Sequence, residues 1–204
     1  YFKMVNPIEL PANWSPIGSS TTTRFKGVFD GNSNTLTVPA GGLPLFGYVG
    51  GATIKNLSIY GTQIAGYGLI NNFVELDENA ANMGVTVSGI TLKSGSSTLK
   101  SGLLGSYLTN NPYGGSTRFS EAHISNCTIE SGVVIGYNKD QSYIGSIAGR
   151  MQGSITNCTS SATVYGVDYV GGILGYVDDA GFEGVQNCLN GNYFSYQGRF
   201  YQAG

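Results

Sequence analysis

Three stretches, Ile124-Ser-Asn-Cys-Thr128, Ile155-Thr-Asn-Cys-Thr159 and Val185-Gln-Asn-Cys-Leu189, decide how this chain is read. Their cysteines stand 31 and 30 residues apart. Each follows an Asn that lies two positions after a β-branched apolar residue. Two degenerate copies lie upstream, Ile54-Lys-Asn-Leu-Ser58 and Val87-Ser-Gly-Ile-Thr91. Self-similarity at a period of this length is the signature of an array or solenoid, in which each unit buries its apolar face only by stacking on its neighbours.

The repeat breaks simple strand logic. Side chains alternate along a strand, so Ile54 and Leu57, three apart, would point to opposite faces. The third motif position reads Asn56, Gly89, Asn126, Asn157 and Asn187, and Asn and Gly are the residues that tolerate the left-handed conformation. A one-residue corner there sends both apolar positions inward. It gives one column of Ile54, Val87, Ile124, Ile155 and Val185, and a second of Leu57, Ile90, Cys127, Cys158 and Cys188. Ile59, Leu92 and Ile129 continue inward two residues later.

Stacked parallel strands lie about 4.8 Å apart, so equivalent asparagines are expected to form a ladder of side-chain amide hydrogen bonds. The same stacking puts the cysteines near the lower limit of disulfide reach, but side chains pointing the same way fit the disulfide dihedral poorly. The expectation is three reduced thiols acting as small apolar fillers. The lone His123 precedes the motif and no CxxC occurs, which disfavours zinc.

A second recurrent element is Pro44-Leu-Phe-Gly-Tyr48, Gly102-Leu-Leu-Gly-Ser106, Gly145-Ser-Ile-Ala-Gly149 and Gly171-Gly-Ile-Leu-Gly175. On these residues the chain resembles the GLUG-motif repeats of bacterial surface proteins, with Tyr169-Val-Gly-Gly-Ile-Leu-Gly-Tyr176 as the nearest fit. Asn13-Trp-Ser-Pro-Ile-Gly18 and Phe25-Lys-Gly-Val-Phe-Asp-Gly31 look like the segments that commonly precede such repeats. The resemblance implies a cell-surface, adhesin-type β-solenoid, a setting that includes adhesins and regions beside the catalytic parts of surface proteases.

The 204 residues suffice for one domain with a real core. It divides into an opening coil at 1–24, repeats at 25–192 and an end segment at 193–204. Charged residues are only 11% of the chain and the net charge is −2, so no long-range field steers nucleic acid or an anionic membrane. No apolar run approaches the length of a membrane span. Abundant Gly and scarce Pro suit many short strands joined by tight turns. The chain begins at Tyr1 without a charged-then-apolar leader, and is expected to be soluble and processed or cut from something longer. Trp14, the single Trp, is expected to plug the first coil.

Candidate chemistry is thin. Asp30, Asn32 and Asn34 have the alternating spacing of a calcium loop, but the sixth and twelfth positions are Thr35 and Gly41 where Gly and Glu are required. A turn with local Asx hydrogen bonds accounts for the same letters. A Cys–His pair would need an accessible thiol near His123, whereas Cys127 is placed inside. Glu130, Asp140, Asp168, Asp178, Asp179 and Glu183 fall on different turns. The outward column Ser58, Thr91, Thr128, Thr159 and Leu189 raises ice binding, but its neighbouring rank of Tyr60, Lys93, Glu130 and Ser161 is bulky and charged. No catalytic residue, metal or cofactor is expected.

Two stretches without a motif, 67–83 and 107–121, read as loop insertions, the first with a helical turn at 76–83. Loops of this length on a regular scaffold are either inert decoration, the expectation for each singly, or partner contact, and the second reading nominates Tyr107 and Tyr113. The C-terminus gathers Tyr193, Phe194, Tyr196, Phe200 and Tyr201 around Arg199. A solenoid end must cover an open core and an unpaired edge, so these aromatics are either a cap or an interface. Tyr193, Tyr196 and Tyr201 join the candidate partner-binding residues.

The chain is therefore expected to be an all-β, right-handed parallel β-helix of about five or six coils with two loop insertions. The expected function is extracellular adhesion to glycan or protein on a host or neighbouring cell. A structural subunit that self-associates through its solenoid ends, and a carbohydrate-active β-helix enzyme, are the alternatives.

Overall fold

In a computed structural model, residues 1–74, 84–108, 122–191, 193–196 and 199–202 are described. Among them there is no helix. The strands form a long curled sheet of thirteen members, a second of five and a third of two, and pairing is parallel throughout except at the C-terminal hairpin.

The register follows the sequence columns. Ile54 pairs with Val87, Val87 with Ile124, Ile124 with Ile155 and Ile155 with Val185. Leu57 stands beside Ile90, and Thr91, Thr128, Thr159 and Leu189 follow one another in a single rank. The first four members of the leading column are buried, as are Leu57, Ile90, Cys127 and Cys158. The last members are not: Val185 is 41% exposed and Cys188 only half-buried.

The corners take the expected backbone. Asn56, Gly89, Asn126, Asn157 and Asn187 all have φ between 53° and 61°. The amide ladder expected across them is not formed. The Asn126, Asn157 and Asn187 side chains face solvent, and no amide-to-amide bond joins them among the described residues. Asn56 turns instead to the Asp30 carboxylate, to which its Nδ2 donates at 3.2 Å. What repeats along the column is therefore a backbone conformation and not a side-chain bond.

The first corner is larger. Asp30 pairs with Lys55 and Asn34 with Leu57, so residues 31–33 stand opposite Asn56 alone. Asn32 and Ser33 both take positive φ. The Asn32 N–H donates to Asp30 Oδ1 at 2.9 Å, which makes this an Asx turn, as its letters suggest. Gly31 is required there, because a Cβ would run into Asn56 and Leu57.

The glycine-rich element is a tight rung on another side of the stack. Phe46, Ile70, Leu104, Ala148 and Leu174 share one register, with Ile17 bridged to Phe46 at its start. Consecutive N–H pairs share one carbonyl of the next repeat. Leu69 and Ile70 donate to Leu103 O, Leu103 and Leu104 to Ile147 O, and Ile147 and Ala148 to Ile173 O, all at 3.0–3.2 Å. This brings backbones so close that a Cβ on Gly68 would meet the Gly102 carbonyl, and one on Gly102 that of Ser146. Glycine here serves close approach and not an unusual φ.

Two expectations about insertions change. Residues 67–83 do not begin as an insertion, because Ile70–Val74 is a strand of the long sheet and Gly68-Leu-Ile70 is a further copy of the rung. Residues 75–83, with the helical turn expected there, lie outside the described residues. Tyr107 and Leu108 end the strand Leu104–Leu108, and 109–121 lie outside the described residues. Trp14 packs against the core and its Nε1 donates to Pro44 O at 3.2 Å, which is a plug's role.

Candidate functional site

Of the five tyrosines nominated from sequence, Tyr113 lies outside the described residues, and the backbone alone is described for the others. Tyr107 stands in the long sheet, in register with Phe73. Tyr193 and Tyr196 belong to the strand Tyr193–Tyr196, which extends the five-stranded sheet beside Thr163 and Gly166. The strand Arg199–Gln202 folds back on it antiparallel, setting Tyr201 opposite Phe194. Tyr193, Tyr196 and Tyr201 thus share one hairpin at the end of the stack, on a different sheet from Tyr107.

The best-formed surface cluster uses other residues. Tyr143 and Tyr169 occupy equivalent corners, one residue before the paired strands Ile144–Gly145 and Val170–Gly171. Their rings stack with centroids 4.6 Å apart and planes 8° from parallel. The Tyr176 ring meets both edge-on, at 5.5 Å from Tyr143 and 5.2 Å from Tyr169. The Arg150 guanidinium lies 6.0 Å from the Tyr143 centroid and 5.3 Å from that of Tyr176, within reach of the negative ring faces. Tyr169 remains 52% exposed.

The backbone holding these rings is strained. Tyr143 has φ 58° and Tyr169 φ 52°, where a bulky residue is an outlier. Such a conformation costs about 1–3 kcal/mol and persists only where its surroundings over-determine it. Here they do. Tyr143 N–H donates to Asp168 O and Ile144 N–H to Tyr169 O, both at 3.0 Å. The buried Ser101 hydroxyl donates to Tyr143 O and accepts from Gly145 N–H, each at 3.1 Å. The turns before the two corners are tied by Val167 N–H to Gln141 O at 2.9 Å.

Other candidate chemistry is spoken for. The Asp30 carboxyl is held below its ordinary range by the Asn32 N–H, and further by the Asn56 amide, the Tyr1 hydroxyl and Lys55. Glu130 is lowered by the Ser94 N–H and by Lys93, whose Nζ is 3.4 Å away. His123 Nδ1 lies 3.0 Å from Ser154 Oγ. The side chains of Asp178, Asp179 and Glu183 lie outside the described part of the structure.

The cysteines are free and stacked. Cys127 N–H donates to Cys158 Sγ, and Cys158 N–H to Cys188 Sγ, both at 3.4 Å. The bond with Cys158 and burial push the Cys127 thiol up, and burial raises Cys188. These two are filler thiols and poor nucleophiles.

Sequence reasoning passed over Tyr143 and Tyr169 although the signal was present. Tyr followed by an aliphatic and Gly occurs at both Tyr143-Ile-Gly145 and Tyr169-Val-Gly171. Both tyrosines take a left-handed φ that the repeat's own corners give to Asn or Gly, and that misfit marks them.

No curated protein and no solved structure matches the chain significantly. Residues 140–165 match the family model of the GLUG motif. That stretch contains the Tyr143 corner, the Gly145–Gly149 rung and the Ile155-Thr-Asn-Cys-Thr159 corner, one repeat before Tyr169-Val-Gly-Gly-Ile-Leu-Gly-Tyr176. The close-approach glycine rung and the left-handed corner that follows it both lie inside this match, so the chain carries a GLUG motif at residues 140–165.

Proposed function

We propose that the chain is an extracellular binding module of a bacterial surface protein, adhering to glycan or protein on a host or neighbouring cell. The supporting observation is the cluster of Tyr143, Tyr169, Tyr176 and Arg150, which fixes rings on strained corners and leaves one half-exposed. The GLUG motif is found in surface-type proteins, and no helix among the described residues is long and apolar enough to cross a membrane. The scaffold is a single right-handed parallel β-helix of five or six coils, the hand being that of nearly all parallel crossover connections. It works without enzymatic activity or cofactor. Asp30 and Glu130 serve turns and cross-strand ion pairs, which supports that reading.

Binding of the labelled chain to a glycan array and to immobilised surface glycoproteins tests the proposal. Saturable binding to either supports it, and absence of binding to both removes it.

A second reading, a subunit of a surface assembly, is favoured by the ends. Phe2 is 60% exposed at one edge and Leu189 71% at the other. Phe2 and Val185 end the same register column, so a second copy stacked head to tail would continue it. Concentration-dependent polymers in sedimentation velocity would support this reading.

A further inference from the structure

We infer that the exposed face of Tyr169 is a subsite for one neutral pyranose ring of a glycan chain. The inference rests on the binding reading above and deepens it. Tyr143 and Tyr169 are a two-ring stack with its last ring half open to solvent. A third flat group placed on Tyr169 continues the stack at the spacing the first two already keep. The apolar C–H face of a pyranose is such a group, and it covers a tyrosine ring at little cost in ordering because both partners are rigid.

The rim decides between flat ligands. Asp168 immediately precedes Tyr169 and is exposed. Asp140 and Gln141 precede Tyr143, their side chains joined at 2.6 Å, and the Val167-to-Gln141 bond brings the two turns side by side. Carboxylates and an amide beside an aromatic platform accept from and donate to the hydroxyls around a sugar ring. The Arg150 guanidinium lies over Tyr143 and Tyr176, while the two carboxylates beside Tyr169 oppose an anionic sugar, and a purely aromatic ligand offers them no donors. The corner is already set before binding, through Ser101 and the bonds across to Asp168 and Tyr169, so little ordering remains to be done.

The test uses the purified chain titrated with cellohexaose, chitohexaose and β-1,4-galactohexaose by calorimetry. The diagnostic variant is Tyr169→Asn, because Asn holds the same φ at Asn56, Asn126, Asn157 and Asn187 and so keeps the corner while deleting the ring. At least one hexamer is expected to bind, with Tyr169→Asn weakening it about fivefold or more and Tyr169→Phe by less than about twofold, as loss or retention of one ring contact requires. Melting of both variants checks that the fold is kept. No binding to any of the three hexamers overturns the inference, and so does binding that Tyr169→Asn leaves unchanged. If the chain binds surface glycoproteins while ignoring all three hexamers, this inference falls and the binding reading stands.

Discussion

The molecule turns two kinds of left-handed corner. At Asn56, Asn126, Asn157 and Asn187 the residue suits the backbone, the side chain faces solvent, and what the corner achieves is inside, where it keeps two apolar columns facing one core. At Tyr143 and Tyr169 the residue opposes the backbone, and what the corner achieves is outside, where two rings stack over an arginine. The same φ thus serves architecture where it is cheap and a surface where it is expensive. Backbone strain of this kind, held at a bulky surface-facing residue, clusters at functional sites.

Three sets of substitutions put this contrast at risk. The largest effect is expected away from both corners, in the column they serve: Ile155→Ala removes a fully buried side chain in mid-stack and should cost about 3 kcal/mol in urea denaturation. Val185→Ala, at the exposed end of the same column, should cost under about 1 kcal/mol. Equal losses at the two positions would mean that the column is not continuous.

Next comes the corner itself. Asn157→Val forces a β-branched residue into the left-handed region and should cost about 2 kcal/mol, whereas Asn157→Gly should stay within about 0.5 kcal/mol of the parent. A mild Asn157→Val, measured the same way, would remove the distinction between cheap and expensive corners.

The smallest effect belongs to the first corner, where Asp30 supplies the acceptor that the others lack. Its carboxyl is lowered on folding, so its stabilisation is complete above the ordinary carboxylate range near pH 4 and is lost as pH falls through the lower folded value. Asp30→Asn should therefore melt below the parent at neutral pH, and the gap should close on acidification below about pH 4. A gap that persists in acid would assign the effect to shape and not to charge.

The apolar columns and their corners were readable because Asn and Gly take the left-handed conformation at least cost and recur at that one motif position, and because a position facing the core cannot vary far from aliphatic or thiol. The rung at Gly68-Leu-Ile70 was hidden. It lacks the closing glycine found at Gly47, Gly105, Gly149 and Gly175, and Asn71 stands there instead. The amide ladder failed for a reason that composition cannot show, since equal register of Cα atoms does not fix the direction of a side chain leaving a left-handed residue. The tyrosine cluster combines Arg150 and Tyr176 from strands with two corner residues, a proximity set by how tightly the rung turns. The C-terminal aromatics were legible as an end segment, whereas the antiparallel pairing of Tyr193–Tyr196 with Arg199–Gln202 has no counterpart in the parallel repeats.

Among the described residues, hydrogen bonds between the parallel strands run across the stack, one rank to the next. Tension applied between the two ends of this protein therefore falls on the ranks in series, as on links of a chain. The end links, that of Phe2 on one side and that of Val185 and Leu189 on the other, have the least apolar cover and are the first to peel, and the ranks between them stay closed until they have gone.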